Sequence, residues 1–217
     1  MYKRQDARSE HYHPYYKRRD PGCEHEPVPT FTRAELESFR DVEVPDLVGP
    51  GLRLLFVGIN PGLWTAATQT HFAHPVNRFY PALYASGITP TPIDPATGMT
   101  DVDRAMMIER GIGITNLVRR ATVRADELSR DELRVGGERL AGFVALHRPR
   151  VVAIAGITAY RTAFRRPKAR TGRQPEDLAG AELWVVPNPS GLNAHETVAS
   201  LATAYAEPAR AAGLLPD

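Results

Sequence analysis

The chain lacks the features that would place it in several large classes of protein. It has a single cysteine, Cys23, so an internal disulfide is excluded and a reducing compartment is favoured. No apolar run approaches the length of a membrane span or of a signal-peptide hydrophobic region, so we expect a cytoplasmic protein with no membrane partner. The formal net charge of +2 over 217 residues is too small to indicate nucleic-acid binding by itself. What is present, 42% hydrophobic and 24% charged residues, is typical of a globular protein.

Residues 1–30 differ from the rest of the chain and predict a basic, aromatic N-terminal tail that is flexible. They are rich in charge, histidine and tyrosine and contain almost no aliphatic residues. Two interpretations fit this composition: an arm that contacts phosphates and stacks on bases, or a solvated terminus. Cys23 and His25 lie near His11 and His13, but the spacing matches no standard set of metal ligands, so we expect no metal.

From residue 30 onward, short apolar segments alternate with helical patterns, which predicts an α/β fold. The predicted strands are 52–57, 112–115, 151–155 and 183–186, and the predicted helices are 32–39, 77–86, 101–109, 131–147, 159–164 and 196–212. Short apolar strands separated by helices are typical of a parallel sheet that is covered on both faces. We therefore predict a three-layer α/β/α sandwich on a short parallel central sheet, with ligands beyond the carboxyl ends of the strands.

Two polar turns directly follow predicted strands and indicate a site at that edge of the sheet. They are Gly58-Ile59-Asn60-Pro61-Gly62 and Asn188-Pro189-Ser190-Gly191-Leu192. In a parallel sheet both would face each other across a cleft. Asn60 either orients a water through its amide oxygen or caps its own turn. Leu192 either inserts into a partner such as a base stack or folds back onto the last helix.

Two further segments carry side chains that suit nucleic acid. In segment 70–79, Phe72 suits stacking on a base and Asn77 suits pairing with its polar edge. The alternative makes Phe72 a core residue and Asn77 a helix cap. Segment 161–173 has six basic residues and no acidic one, which fits either phosphate binding or a solvated loop.

Together, four segments resemble the mismatch-specific uracil-DNA glycosylase and thymine-DNA glycosylase family of the uracil-DNA glycosylase superfamily. They are 58–63 (GINPGL), 72–79 (FAHPVNRF), 113–118 (GITNLV) and 186–192 (VPNPSGL). The likeness extends over roughly residues 48–212, with the motifs in the same order and at similar spacing. One such motif would be weak, whereas four in order make the resemblance specific.

The resemblance implies the α/β/α fold of this superfamily and a DNA glycosylase domain over residues 31–217. Such an enzyme flips a base out of duplex DNA and hydrolyses its N-glycosidic bond, which initiates base excision repair. The expected substrate is uracil mispaired with guanine, with thymine or etheno-cytosine as further substrates to test. We expect a monofunctional monomer without cofactor, metal or nucleophilic lysine, whose partner is double-stranded DNA containing a mispaired or damaged pyrimidine.

The resemblance also implies roles for individual residues. Asn60 would hold the attacking water and Thr115 would support it. The base would be bound by the backbone N–H groups of Ile59 and Phe72, by the ring of Phe72, and by Thr65, Asn77 and Asn188. The residues that would contact or enter the duplex are Ser190, Gly191, Leu192, Asn193 and His195.

Two departures from the family pattern bear on substrate choice. Family members often have an arginine shortly after the leucine that enters the duplex, whereas this chain reads Asn193-Ala194-His195. This predicts weaker recognition of the opposite guanine unless His195 compensates. Trp64 and Thr65 would lie near C5 of the pyrimidine and are bulkier than the alanine or serine that would accommodate a methyl group. We therefore predict that uracil is preferred over thymine.

Two other classes of function compete with this interpretation. A non-catalytic DNA or nucleotide binding module of the same fold would use the same turns, although binding phosphate alone requires no amide at position 60. A Rossmann-type dinucleotide enzyme fits poorly, because residues 58–62 lack the three-glycine spacing and no ribose-binding acid follows at the proper distance.

Overall fold

The computed structural model describes residues 31–216, and the predicted N-terminal tail lies outside this range. The strands are β1 (Leu54–Gly58), β2 (Ile112–Asn116), β3 (Val151–Ala155), β4 (Gly172–Arg173) and β5 (Glu182–Val186). The helices are α1 (Arg33–Glu37), α2 (Leu63–Thr68), α3 (Phe79–Ala85), α4 (Asp101–Glu109), α5 (Arg130–His147), α6 (Ile157–Ala163) and α7 (Val198–Ala211), with a 3₁₀ turn at Ala125–Glu127.

The five strands form one sheet in the order β2-β1-β3-β5-β4. Strands β1, β2, β3 and β5 are parallel, which confirms the predicted sheet. The two-residue β4 pairs antiparallel with β5 and was absent from the sequence prediction, as was α2. Since β3 lies between β1 and β5, the turns that follow these two strands flank the carboxyl end of β3.

Helices cover both faces of the sheet, because alternate residues along each strand point to opposite faces. On one face Phe56, Ile114 and their neighbours pack with α3, α4 and α7. On the other face Val57 and Ile154 pack with α5 and α6. The α/β/α sandwich predicted from the sequence is confirmed.

Local sequence signals set several of these boundaries. Thr32 and Glu35 form the predicted capping box at the start of α1, and Ser129 and Glu132 form a second one at α5. Gly87, with a φ of 77°, follows the end of α3 as expected. Among residues 31–216, no helix is both long and apolar enough to cross a bilayer.

Two adjacent glycines let α5 lie close to the layer that it covers. A Cβ at Gly136 would collide with the backbone of Leu117, and a Cβ at Gly137 would lie 3.1 Å from the carbonyl oxygen of Ala163. The pair weakens the helix-forming tendency of this segment. Its benefit is the close approach of α5 to the loop after β2 and to the end of α6.

The two edges of the sheet end differently: β2 has a backbone partner on its outer side, and the other edge ends in the two-residue strand β4. Leu47 and Ile114 exchange two backbone hydrogen bonds, of 2.9 and 2.8 Å, beside β2. At the other edge, β4 pairs with Trp184 and Val185 of β5, and Gln174 N donates to Leu183 O at 2.7 Å.

Candidate active site

The two turns singled out in the sequence meet at the carboxyl end of β3. Gly156 follows β3 with a φ of 137°, a conformation that favours glycine. A Cβ placed there would lie 3.2 Å from Ile59 Cδ1 and 3.8 Å from Asn188 Nδ2. The first turn (residues 58–62, the Asn60 turn) and the loop that contains the second (residues 188–196, the Leu192 loop) therefore approach each other across this glycine. Their proximity agrees with the sequence prediction, and a ligand-binding cleft between them stays a prediction.

The side-chain amide of Asn60 has a fixed orientation. Its Nδ2 donates to Pro61 O at 3.1 Å, to Arg120 O at 3.2 Å and to Thr122 Oγ1 at 2.7 Å. The Thr122 hydroxyl donates its own proton to Arg124 O, so it accepts from Asn60. All three groups require the nitrogen on this side, so the oxygen faces away from them. Within the described chain no protein group donates to Asn60 Oδ1, which can therefore accept a hydrogen bond from a ligand or a water.

The hydroxyl that contacts Asn60 belongs to Thr122 and not to the predicted Thr115. Thr115 is fully buried in β2 and donates its proton to Asp46 Oδ1 at 2.6 Å. Within residues 31–216, Thr115 and Asn60 therefore share no hydrogen bond. Thr122 lies in the loop after β2 and is 1% exposed. Sequence reasoning missed it because its partner is 62 positions away in the chain.

Ion pairs hold the loop that carries the partners of Asn60. Arg120, whose carbonyl accepts from Asn60, donates to Glu132 at 2.6 Å and to Asp41 at 3.0 Å. The hydrogen bonds from Arg120 and Ser129 lower the pKa of Glu132 to about 2. These contacts tie the loop to α5 and to the segment after α1, which keeps the Arg120 carbonyl in place.

Phe72 packs against another aromatic ring and Asn77 caps a helix, as in the structural alternative given for them above. Each also has one polar group without a protein partner in residues 31–216: the backbone N–H of Phe72 and the Nδ2 of Asn77. Phe72 stacks on Phe79 with ring centroids 4.1 Å apart, and it is half-buried. Its φ of 57° is unusual for a residue with a side chain, and within residues 31–216 its N–H donates to no protein acceptor. Asn77 Oδ1 accepts from Phe79 N at 2.9 Å and caps α3, which leaves the Nδ2 group available.

Asn116 at the end of β2 lies between these groups, although the sequence interpretation gave it no role. Its Nδ2 lies 3.0 Å from His71 Nδ1, and His71 Nε2 lies 3.0 Å from Pro45 O. The carbonyl of Pro45 requires a proton on Nε2, so Nδ1 accepts from Asn116. Burial lowers the pKa of His71 and keeps it neutral. Asn116 Oδ1 consequently points to Gly58, where a Cβ would collide with it and would lie 3.2 Å from the Phe72 ring.

The Leu192 loop presents its leucine to solvent. Leu192 is 85% exposed, so the alternative in which it folds onto the last helix is wrong. The loop is shaped by Asn188 Oδ1, which accepts from Ser190 N at 2.9 Å, and by Asn193 Nδ2, which donates to Asn188 O at 3.0 Å. His195 is exposed at its far end.

Arg78 ties this loop to the segment before α3. Its guanidinium donates to the carbonyls of Ser190, Asn193 and Glu196, and its backbone N–H donates to Pro189 O at 3.0 Å. Arg78 lies within a motif noted in the sequence, but it was given no role there. A cationic side chain directed to carbonyls far along the chain has no sequence signature.

Two other predicted pocket residues have structural contacts of their own. Thr65 is 5% exposed in α2, and its carbonyl accepts from Thr70 N. Trp64 donates from Nε1 to Ala96 O at 3.2 Å and packs against His74 with ring centroids 5.7 Å apart. Within residues 31–216, these contacts do not place the side chain of Trp64 or Thr65 against the Asn60 turn, so their roles in the pocket stay predictions.

The basic segment 161–173 divides into paired and unpaired cations. Arg166 pairs with Glu176 and Arg173 with Glu182, whereas Arg161 donates to Ala169 O. In the part of the chain that the structure describes, three exposed cations of the segment besides Arg161 form no ion pair. These are Arg165, Lys168 and Arg170.

All five asparagines of the chain lie at this one edge of the sheet. They are Asn60, Asn77, Asn116, Asn188 and Asn193. In all five the protein binds at least one side of the amide, while at Asn60, Asn77 and Asn116 no group of residues 31–216 binds the other side. Such a set of fixed amides can bind a flat, polar molecule that has both donors and acceptors, such as a nucleic-acid base.

Comparison with known proteins identifies the family. The sequence model of the Uracil DNA glycosylase superfamily matches residues 45–208, which is most of the chain. The protein therefore belongs to the uracil DNA glycosylase superfamily, and membership indicates a DNA glycosylase, a hydrolase of N-glycosidic bonds. A solution NMR structure from Methanosarcina acetivorans, provisionally described as a uracil DNA glycosylase, is similar with a TM-score of 0.48 and 15% identity; the match covers 75% of this chain and 97% of that chain.

Proposed function

We propose that the protein hydrolyses the N-glycosidic bond of uracil mispaired with guanine in duplex DNA and leaves an abasic site. The observation that carries the proposal is the orientation of the Asn60 amide. Its nitrogen is held by three acceptors, and its oxygen is directed away from them at the edge of the sheet. An oriented acceptor of this kind positions a water without removing its proton beforehand.

In the proposed reaction, a water held by Asn60 Oδ1 adds to C1′ of the deoxyribose. The bond from C1′ to N1 of the base breaks, its electron pair goes to the base, and the proton of the water is released to solvent. Thr122, in place of Thr115, supports Asn60. Backbone N–H groups stabilise the departing uracil anion, and the first proposed donor is the Phe72 N–H, which donates to no protein acceptor within residues 31–216. Ile59 N–H is the second proposed donor.

The flipped base lies against the half-buried ring of Phe72. Uracil offers one donor, N3–H, between two acceptors, O2 and O4. Asn116 Oδ1 accepts from N3–H, and Asn77 Nδ2 donates to O4. Both assignments use the side of each amide that the protein leaves unbound. Asn188 closes the pocket beside Gly156.

Leu192 fills the gap that the flipped base leaves in the stack, since it is an apolar side chain that is 85% exposed at this edge. The neighbouring Ser190, Gly191 and Asn193 form the part of the loop that meets the DNA, and His195 faces the opposite strand. Thr65 and Trp64 limit the space at C5, so uracil is excised faster than thymine.

The test is excision from a duplex that carries one G·U pair, with abasic sites revealed by alkali. We expect the wild type to produce cleaved strand and Asn60→Ala to be slower by about a hundredfold or more. Thr203→Ala, an exposed change on α7, is the matched control and should retain wild-type activity. Asn60→Ala, purified in parallel, also reports any contaminating glycosylase. Binding without abasic sites would favour the alternative, a non-catalytic module of the same fold.

Substrate choice is tested with uracil, thymine and etheno-cytosine, each opposite guanine and adenine. Faster excision of uracil than of thymine opposite guanine is expected. Equal rates for these two bases would contradict the assignment of Thr65 and Trp64. Equal rates opposite guanine and adenine would remove the mismatch requirement and leave the uracil activity in place.

A further inference from the structure

Arg78 connects the Leu192 loop to the segment that carries Phe72 and Asn77 through several hydrogen bonds. Its guanidinium reaches three carbonyls spread over seven residues, those of Ser190, Asn193 and Glu196, with the Asn193 bond at 2.8 Å. The other hydrogen bonds that shape the Leu192 loop are short-range, such as Asn193 N to Ser190 O at 2.9 Å. Arg78 is therefore the tie that holds this loop against the segment that carries Phe72 and Asn77.

The Leu192 loop also approaches the same segment closely at Gly191, beside the hydrogen bonds of Arg78. A Cβ at Gly191 would lie 2.9 Å from the carbonyl oxygen of Val76, so the backbones of the two loops nearly touch. Val76 is 53% exposed next to Leu192. The exposed leucine consequently projects from a surface whose position depends on both loops.

Holding the Arg78 guanidinium in this partly buried position costs free energy. Arg78 is half-buried, and its Nε is buried without a hydrogen-bond partner in the described structure. No carboxylate in residues 31–216 forms an ion pair with it, so only carbonyl dipoles offset the charge. A partly buried cation of this kind is expensive to keep. Because all of its partners belong to one loop, the position of that loop is what the contact determines.

We infer that Arg78 is a positioning residue that sets Leu192 relative to the base pocket, so that insertion of the leucine and binding of the flipped base occur together. The inference rests on the proposed function. A rigid link makes the distance between the two groups constant, so the leucine reaches the stack only where the base can reach the pocket. Without the link, the loop can insert in registers that leave the base outside.

The experiment compares Arg78→Ala, Arg78→Lys, Leu192→Ala and the double variant R78A/L192A under single-turnover conditions. Each is assayed on a G·U duplex and on the uracil-containing single strand. Arg53→Ala is the matched control, because Arg53 also donates to two backbone carbonyls, Ala212 O and Gly213 O, but at the opposite end of β1. It should retain wild-type rates on both substrates.

We expect Arg78→Ala to slow duplex excision by about tenfold to a hundredfold, as a displacement of around 1 Å can, with a much smaller effect on the single strand. Arg78→Lys should lie between it and the wild type, because an ammonium cannot bind three carbonyls in a fork. In the double variant the two effects should not add, since Arg78 acts through Leu192. Equal losses on both substrates, or additive effects, would overturn the inference.

Hydrogen exchange of residues 188–196 tests the same link without any reaction. Arg78→Ala should speed exchange of these amides by at least about tenfold and leave the amides of α5 unchanged. Unchanged exchange in the loop would overturn the inference even if excision were slower. If the wild type excises no uracil from any substrate, the proposed function fails, and the exchange measurement still decides whether Arg78 holds the loop.

Discussion

Asn60 Nδ2 lies 2.7 Å from Thr122 Oγ1, and this contact joins the turn after β1 to the loop after β2. The Thr122 hydroxyl donates its own hydrogen bond to Arg124 O at 2.8 Å, so toward Asn60 it can act only as an acceptor. The amide of Asn60 therefore cannot rotate by 180° without setting its oxygen against three acceptors. The two carbonyls and the Thr122 hydroxyl together fix the direction of the Asn60 oxygen that we propose as the acceptor for the water.

Removing the Thr122 hydroxyl should lower excision. In Thr122→Val the shape is nearly kept, but Asn60 loses its shortest partner and Arg124 O loses its donor. We expect the single-turnover rate on a G·U duplex to fall about tenfold, the scale of an unmade buried hydrogen bond. Thr122→Ser keeps the hydroxyl and should stay close to wild type. A wild-type rate in Thr122→Val would mean that Pro61 O and Arg120 O suffice to orient Asn60.

A carboxylate at position 60 should not fit the same place in its ionised form. In Asn60→Asp an oxygen would replace Nδ2 and face Pro61 O, Arg120 O and Thr122 Oγ1. The two carbonyls cannot donate, so the pKa of the introduced carboxyl should be raised. We expect the free energy of unfolding at pH 7.5 to fall by about 1–3 kcal/mol relative to the wild type.

The sign of the pH dependence follows from that raised pKa. The folded variant would bind a proton more tightly than the unfolded chain, so its stability deficit should shrink as the pH falls from 7.5 to 5. Denaturant unfolding of the variant and the wild type at both pH values measures this change. A deficit that stays constant or grows at low pH would show that the carboxylate is accommodated without a proton.

Gly191→Ala should impair the reaction on duplex DNA through sterics alone. The added methyl would lie 2.9 Å from Val76 O, a backbone atom that cannot move without shifting the segment before Asn77. We expect duplex excision to fall at least about tenfold. Gly142→Ala on α5 is the control, because a Cβ there meets nothing within 4 Å and should leave the activity unchanged. Wild-type activity in Gly191→Ala would indicate a loop that adjusts freely.

His71 should make the protein less stable as the pH falls below about 6.5, the pKa of an unperturbed histidine. Burial lowers the pKa of His71 in the folded state, so in this pH range the unfolded chain binds a proton at His71 more tightly than the folded protein does. The free energy of unfolding should therefore decline by up to about 1.4 kcal/mol per pH unit in this range.

The matched variant for that experiment is His71→Asn, whose oxygen can replace Nδ1 as the acceptor from Asn116 Nδ2. It should be less stable than the wild type at pH 7.5, with a flatter pH profile. Burial also lowers the pKa of His74, but His74 is present in both proteins, so the difference between profiles reports His71. Parallel profiles would assign the pH dependence to other groups.

The sheet and most helices could be predicted from the sequence because their signals are local. Apolar runs of four to six residues marked four strands, and Thr32 with Glu35 marked the start of α1. Helix α5 was predicted despite Gly136-Gly137, and the structure supplies the reason for the glycines: contact with Leu117 and Ala163. The two-residue β4 has too few residues to carry a pattern, and only pairing with β5 defines it.

The site was predictable only where its residues are adjacent in sequence. Asn60, Phe72 and Leu192 stand out in short motifs, whereas the partnership of Asn60 with Thr122 exists only in three dimensions. The sequence indicates Thr115, which lies in a recognisable motif, and gives no sign of Thr122, but the Thr115 hydroxyl donates its proton to Asp46. At Asn60 and Asn77 the structure shows the capping contact at one end of the amide, while the ligand-binding role of the other end stays a prediction.

The way in which the two edges of the sheet end bears on how the protein behaves at high concentration. Leu47 beside β2 and Gln174 beside β5 occupy backbone groups through which a neighbouring molecule could otherwise extend the sheet. Intermolecular strand pairing, a common route to aggregation and fibre formation, is thereby obstructed at the β2 edge, and the strand that forms the other edge, β4, has only two residues. A solution of the protein should stay dispersed as it is concentrated, and weakening the Leu47 segment is the change that should make it aggregate first.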